Sequence, residues 1–123
     1  MKKKIYLAGP YSHENPDVMK DRAFALTKAA GQLTLRDYLV YSPITHAITI
    51  VDMFPEMPHS FEFWKELDIS MIRDWADEVW ILNIRGWDTS IGVEAEINFA
   101  HSISKKVFLF TQELGIVSLY SGN

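Results

Sequence analysis

Short apolar runs alternate along the chain with segments whose apolar residues recur at helical spacing, and this alternation constrains the fold more than any other feature. The first run, residues 5–8, ends at Gly9-Pro10, which is typical of a buried strand followed by a sharp loop. Similar runs predict strands over residues 38–41, 78–84 and 107–110, and a short fifth strand fits residues 116–119.

The segments between these runs carry the helical pattern. Their spacing predicts helices over residues 16–36 and 61–76, and a third from about residue 91 to Lys105-Lys106. Asn15-Pro16 and Asp88-Thr89-Ser90 are typical start signals for the first and the last helix. Pro55 and Pro58 interrupt residues 44–59, so we expect a loop there, with room for a short helix.

Strands that alternate with helices predict an α/β fold with right-handed crossovers. The expected architecture is a doubly wound parallel sheet of four to five strands, of the flavodoxin or Rossmann type, flanked by helices. The 123 residues suit a single domain. Ligands of such folds bind beyond the carboxyl ends of the strands, so we expect the functional residues at that edge.

Composition narrows the classes of function. The chain has no cysteine, which excludes disulfides, a thiol nucleophile and cysteine metal sites and is typical of a cytoplasmic protein. The apolar run after Met1-Lys2-Lys3-Lys4 is too short for a signal peptide or membrane span. A formal net charge of −4 disfavours binding to a nucleic-acid polymer. Small-molecule partners are expected, with no membrane partner.

Asp68 is the first residue whose position suggests a catalytic role. It lies one turn from Trp64 and Ile72, on or beside the apolar face of its predicted helix. A buried, unpaired carboxyl group has a raised pKa, which suits a general acid near neutral pH. The alternative is a carboxylate at the helix margin that caps a neighbouring loop, and the sequence leaves both open.

Glu96 is the second such residue. The helix dipole favours acidic residues such as Glu94 and Glu96 in the first turns, which is sufficient to explain both. Glu96, however, lies one turn from Gly92 and from Phe99, so it should face the protein more than Glu94 does. A carboxylate that faces a gap left by glycine can attack an electrophilic carbon, as in retaining glycosidases.

Three motifs in order resemble the nucleoside 2-deoxyribosyltransferase superfamily, which includes deoxynucleoside monophosphate N-glycosidases and small bacterial and phage relatives. The motifs are IYLAGPYS at residues 5–12, WKELDISMIRDWADEVWIL at residues 64–82 and DTSIGVEAEINFA at residues 88–100, and KKVFLF completes the last strand. The resemblance spans nearly the whole chain and implies one such domain over residues 1–123.

The resemblance implies that Glu96 is the nucleophile, that Asp68 is the acid or base near the nucleobase, and that the Tyr6 hydroxyl orients Glu96. The alternative for Tyr6 is a core tyrosine with a satisfied hydroxyl. Further candidates for substrate binding follow the strands or stand at the start of the last helix: Gly9, Pro10, Tyr11, His46, Asp88, Ser90 and Gly92. Of these, His46 is expected at the carboxyl edge of the sheet. Asp88 is equally suited to capping the last helix.

The implied reaction is a double displacement on a 2-deoxynucleoside, with no metal and no cofactor, in which a second nucleobase takes the sugar. Water as acceptor would make the protein an N-glycosidase, and a catalytically silent nucleotide-binding module is a third reading. The first loop lacks the arginine of the monophosphate hydrolases, which disfavours a 5-phosphate. The resemblance also implies a homo-oligomer in which a neighbouring subunit's carboxyl terminus completes each site. Asn123 is chemically suitable for that role, although a last residue commonly frays.

Overall fold

The computed structural model describes residues 1–122, so Asn123 lies outside the described residues. It contains one five-stranded sheet with the strand order β2-β1-β3-β4-β5. The strands are β1 (Lys4–Ala8), β2 (Leu39–Tyr41), β3 (Glu78–Leu82), β4 (Val107–Thr111) and β5 (Ile116–Leu119). The first four are parallel, which confirms the predicted doubly wound α/β fold. The fifth pairs antiparallel with β4 because residues 112–115 are too few for a crossover helix.

Four α-helices connect the strands in the described part of the chain: α1 (Pro16–Leu35), α2 (Pro43–Met53), α3 (Phe61–Asp74) and α4 (Ile91–Ser102). The predicted start signals are confirmed for two of them. The Asn15 side chain accepts a hydrogen bond from the Asp17 amide, and the Ser90 side chain accepts one from the Val93 amide. Within residues 1–122 no helix combines the length and the apolar character that crossing a membrane requires.

The segment over residues 44–59 corrects the sequence prediction, because most of it is the eleven-residue helix α2 rather than a loop. Pro43 stands in the first turn of α2, where a missing amide hydrogen costs nothing. Pro55 and Pro58 lie beyond the last helical residue, Met53, so they end the helix instead of interrupting it.

Each face of the sheet has its own core. On one face, α1 buries Leu26 and Leu33 against Ile5 and Leu7 of β1. On the other face, helices α3 and α4 pack over the alternate strand residues, among them Tyr6, Val79 and Ile81. Because both faces are covered, the strands are apolar at nearly every position, which is why they stand out in the sequence.

Lys105 fixes the carboxyl-terminal end of α3. Its Nζ donates hydrogen bonds to the backbone carbonyls of Ile72 and Arg73, which the last turn of the helix leaves without partners, and to that of Ala76, two residues beyond the helix end. A cation at this end also interacts favourably with the helix dipole. The contact ties α3, which carries Asp68, to the loop between α4 and β4.

Candidate active site

A cavity of about 420 Å³ opens at the carboxyl edge of the sheet. Gly9 follows β1 and lines one side of it, and the segment from Thr89 to Gly92, which follows β3, lines another. In the strand order of this sheet the connections from β1 and β3 depart to opposite faces, which leaves a crevice between them. The cavity therefore lies where this fold class binds its ligands, as expected from the sequence.

Glu96 lies on the inner face of α4 and lines the cavity. It is 4% exposed, whereas Glu94 is exposed, which confirms the prediction that Glu96 faces the protein. The hydroxyl of Tyr6, a fully buried residue of β1, donates a hydrogen bond to the Glu96 carboxylate. Burial and the neighbouring carboxylates raise the pKa of Tyr6 well above its ordinary value, so the hydroxyl stays protonated and remains a donor.

Asp68 lines the same cavity from α3 and is 6% exposed. Within residues 1–122 its carboxyl group has no hydrogen-bond or ion-pair partner. The structure therefore favours the buried position of Asp68 over the alternative in which it caps a loop. Burial raises the pKa of Asp68 from 3.8 to about 7, so the group can hold or release a proton near neutral pH.

The two carboxyl groups titrate as a pair. Burial raises the pKa of Glu96 from 4.5 to about 8, and the charge of Asp68 adds to this effect, whereas the hydrogen bond from Tyr6 lowers the pKa of Glu96. Two acids whose charges act on each other release their protons in coupled steps. Taken group by group, the pKa of Glu96 is the higher of the two, so the choice of Glu96 as the charged member of the pair rests on geometry: Tyr6 donates a hydrogen bond to Glu96, and Asp68 has no such donor within residues 1–122.

One wall of the cavity is apolar and comes from α2, together with Trp64 of α3. The α2 residues are spaced along one helical face: Ile44, Ala47, Ile48 and Val51. Near them the rings of Tyr11 and His59 meet edge to face, with their centroids 5.7 Å apart. Both residues line the cavity, and their flat surfaces are suited to a planar, weakly polar ligand group.

The structure brings together most of the residues that the sequence predicts for the site. Six line the cavity: Gly9, Tyr11, Asp68, Ser90, Gly92 and Glu96. Tyr6 contributes through its hydrogen bond to Glu96.

Three predicted substrate-binding residues do not line the cavity. Pro10 is buried beside Gly9, and Asp88 is exposed in a single 3₁₀ turn before α4. His46 lies on α2, and its ring centroid is 5.8 Å from that of Tyr41 and 6.3 Å from that of Trp64. The cap of α4 is Ser90, so Asp88 does not serve in that role.

The two glycines of the site allow close packing. A Cβ atom on Gly92 would lie 3.3 Å from the Cβ atom of Phe61, so glycine lets the start of α4 approach the start of α3. A Cβ atom on Gly9 would overlap the side chain of Leu26, which is fully buried under β1. Gly92 thus keeps two walls of the cavity close together, whereas Gly9 leaves room for Leu26 in the core on the α1 side of the sheet.

Two parts of the cavity lining were not predicted from the sequence. One is the apolar wall formed by α2, and the other is the segment just before α3, which includes His59 and Ser60. A signal was present for α2, because residues 44, 47, 48 and 51 follow the spacing of one helical face. No sequence pattern identifies His59 as a cavity residue, because its position depends on its contact with Tyr11 in the folded chain.

The charges around the cavity are negative. Its lining includes Glu62, Asp68 and Glu96 and, among the described residues, no lysine or arginine. Within residues 1–122 no three histidine, aspartate or glutamate side chains lie close enough together to hold a metal ion.

A family model described as a domain of unknown function, DUF1937, matches residues 3–112. The chain belongs to this family. The match covers the first four strands and all four helices, and therefore every residue that lines the cavity. No curated protein matches the chain.

Proposed function

We propose that this protein cleaves the N-glycosidic bond of 2-deoxynucleosides and transfers the sugar to a second nucleobase, as a nucleoside 2-deoxyribosyltransferase. The observation that carries the proposal is the buried hydrogen bond from Tyr6 to Glu96 in a cavity that also contains the unpaired carboxyl group of Asp68. One carboxylate held in place by a hydrogen bond and one carboxyl group that can carry a proton near neutral pH are the two groups that a double displacement at a sugar carbon requires.

In the first step an oxygen of the Glu96 carboxylate forms a bond to the anomeric carbon. The carbon–nitrogen bond breaks with its electron pair on the nucleobase, and the base takes the proton of Asp68. In the second step a nitrogen of the incoming base attacks the same carbon and displaces Glu96 as a carboxylate. Asp68 accepts the proton that the incoming base loses, so the site returns to its starting state.

The roles of the two carboxyl groups follow from their surroundings. The hydrogen bond from Tyr6 stabilises the negative charge on Glu96 and fixes the direction of its oxygens. Asp68 has no such partner within residues 1–122, and its pKa of about 7 suits a group that gives and takes a proton at neutral pH. A 2-deoxy sugar lacks the electron-withdrawing hydroxyl beside the developing positive charge, which makes its glycosidic bond easier to break.

The charge of the cavity supports an uncharged nucleoside as the substrate. Glu62, Asp68 and Glu96 line the cavity, and no cationic side chain of the described lining offsets them. A 5-phosphate would lie beside these acidic groups without a cationic side chain of the described lining to pair with. The apolar α2 wall and the rings of Tyr11 and His59 are suited to the nucleobase.

The test is chromatography of a 2-deoxynucleoside incubated with the protein, with and without a second free base. A new nucleoside that appears only with the acceptor supports transfer, and free deoxyribose in both samples indicates hydrolysis by the same groups. Two variants of α4 sharpen the test. Glu96→Gln should abolish cleavage, whereas Glu94→Gln, which changes an exposed residue of the same helix, should leave it unchanged. Cleavage that survives in Glu96→Gln contradicts the proposal.

A further inference from the structure

Tyr41, the last residue of β2, has an unusual hydroxyl. Its oxygen has no contact with solvent and, alone among the side-chain polar atoms of residues 1–122 that are removed from solvent in this way, has no hydrogen-bond partner, whereas the carboxyl group of Asp68 faces the cavity. A buried polar group without a partner destabilises a fold by about 1–3 kcal/mol, so such groups are rare in native structures, and a catalytic role is one explanation for them.

The position of Tyr41 places this hydroxyl near the carboxyl pair. Tyr41 lies directly opposite Tyr6 in the parallel pairing of β1 and β2, and side chains at paired positions of parallel strands point to the same face. The ring centroids of the two tyrosines are 5.8 Å apart. Tyr41 also packs against the buried cluster that contains Ile72, which lies one helical turn after Asp68 on α3, and Ile69, the neighbour of Asp68, packs against the same cluster.

From this arrangement we infer that Tyr41 is a positioning residue for Asp68, whose hydroxyl donates a hydrogen bond to the Asp68 carboxylate once that group has lost its proton. Tyr41 and Asp68 then form a second tyrosine–carboxylate pair beside that of Tyr6 and Glu96. The inference deepens the proposed function, on which its catalytic consequence rests, because it supplies a donor for the charge that forms on Asp68 when the base departs.

Electrostatics agree with this role. Burial, followed by the charges of Asp68 and then Glu96, raises the pKa of Tyr41 above its ordinary value, so the hydroxyl keeps its proton for donation. Within residues 1–122, four groups that titrate or carry charge lie around Tyr41: Tyr6 from β1, His46 from α2, Asp68 from α3 and Glu96 from α4. The test must separate Asp68 from the other three.

The direct test is the titration of Asp68 in protein with ¹³C-labelled aspartate carboxyl groups, the signal being assigned by its loss in Asp68→Asn. In Tyr41→Phe the Asp68 midpoint should rise by about one pH unit, because a hydrogen bond to a charged group is lost while the ring remains. Tyr38→Phe is the matched control: Tyr38 packs against Trp80 on the opposite face, and the change should leave the midpoint unaltered. An unaltered midpoint in Tyr41→Phe overturns the inference.

A second measurement needs no variant of Tyr41. The ¹³Cζ resonance of Tyr41 should change with pH at the midpoint of Asp68 in the otherwise unaltered protein and should lose that step in Asp68→Asn. The step should persist in His46→Gln, whose altered residue also lies against Tyr41. A step that survives in Asp68→Asn, or disappears in His46→Gln, overturns the inference.

The catalytic consequence is tested separately. If the protein turns over 2-deoxynucleosides, Tyr41→Phe should lower kcat about tenfold with KM unchanged, because only the state with charged Asp68 loses a hydrogen bond. An unchanged kcat contradicts the role of Tyr41 alone. A complete lack of turnover by the unaltered protein contradicts the proposed function, whereas the titration of Asp68 still decides the role of Tyr41.

Discussion

Replacing Asp68 by asparagine should stabilise the fold at alkaline pH. In the folded chain Asp68 keeps its proton up to about pH 7, whereas in the unfolded chain it loses the proton near its ordinary pKa of 3.8. Between these values the folded state binds more protons than the unfolded state, so the free energy of unfolding falls as the pH rises and levels off above about pH 8. Asparagine resembles the protonated carboxyl group in shape and carries no charge at any pH. The substitution therefore removes the decrease in the free energy of unfolding that the ionisation of Asp68 causes.

The size of the effect follows from the raised pKa. Each pKa unit corresponds to about 1.4 kcal/mol, so a rise from 3.8 to about 7 corresponds to about 4 kcal/mol for a carboxyl group without any contact with water. Asp68 faces an open cavity, which screens its charge, and we therefore expect about 2–3 kcal/mol. Loss of the Asp68 charge also lowers the pKa of Glu96, which acts in the same direction.

The assay is urea unfolding, followed by tryptophan fluorescence, at about pH 5 and about pH 8.5. The free energy of unfolding should fall less between these values in Asp68→Asn than in the unaltered protein, by about 1–2 kcal/mol, because part of the total loss already occurs below pH 5. Asp74→Asn is the control: Asp74 lies in the same helix, is exposed, and its hydrogen bond with Arg73 lowers its pKa, so it titrates below this range. Equal losses of stability in Asp68→Asn and the unaltered protein would refute the assignment of a protonated, buried Asp68.

Three further predictions concern the residues that build the site. Tyr6→Phe should raise the pKa of Glu96, measured by carboxyl ¹³C titration, and lower turnover about tenfold, because the carboxylate loses its hydrogen-bond donor. Gly9→Ala should lower the free energy of unfolding by about 1–3 kcal/mol in urea titrations, because the added methyl group overlaps the buried Leu26. Lys105→Met should lower it by about 1–3 kcal/mol, because three carbonyls at the end of α3 lose their donor.

Matched controls exist for two of these changes. Lys106→Met alters the neighbouring lysine, and equal destabilisation by the two lysine variants would contradict the role given to Lys105. Tyr38→Phe removes a hydroxyl on the opposite face of the sheet, so an equal effect on Glu96 would contradict a specific hydrogen bond from Tyr6. For Gly9, an alanine variant as stable as the unaltered protein would show that Leu26 can move aside.

The parts of the fold that the sequence predicts well are those set by local patterns. The run at residues 5–8 is buried on both faces, so its apolar character identifies β1 almost to the residue. Helical spacing alone places Glu96 inward and Glu94 outward on α4, as observed. The alternation of strands and helices predicts a parallel sheet, and ligands of such sheets bind at the carboxyl edge, which is where the cavity lies.

The parts that the sequence does not predict depend on where segments meet in three dimensions. Pro55 and Pro58 favour a predicted loop over residues 44–59, although both lie beyond the end of α2. The apolar cavity wall that α2 provides is therefore not predicted from the sequence. The unpartnered hydroxyl of Tyr41 arises from the pairing of β2 with β1 and from the approach of α3, neither of which is encoded locally. His46, expected at the site because it follows β2, lies on α2 outside the cavity lining.

The most direct test of the account is the mass of the intact protein after rapid mixing with a 2-deoxynucleoside and quenching with acid. We predict an added mass of one deoxyribosyl group, located by peptide analysis on Glu96, present in Glu94→Gln and absent in Glu96→Gln. Rapid cleavage of the nucleoside without any covalent adduct, or with an adduct on another residue, would contradict the role of Glu96 as the nucleophile and with it the proposed reaction.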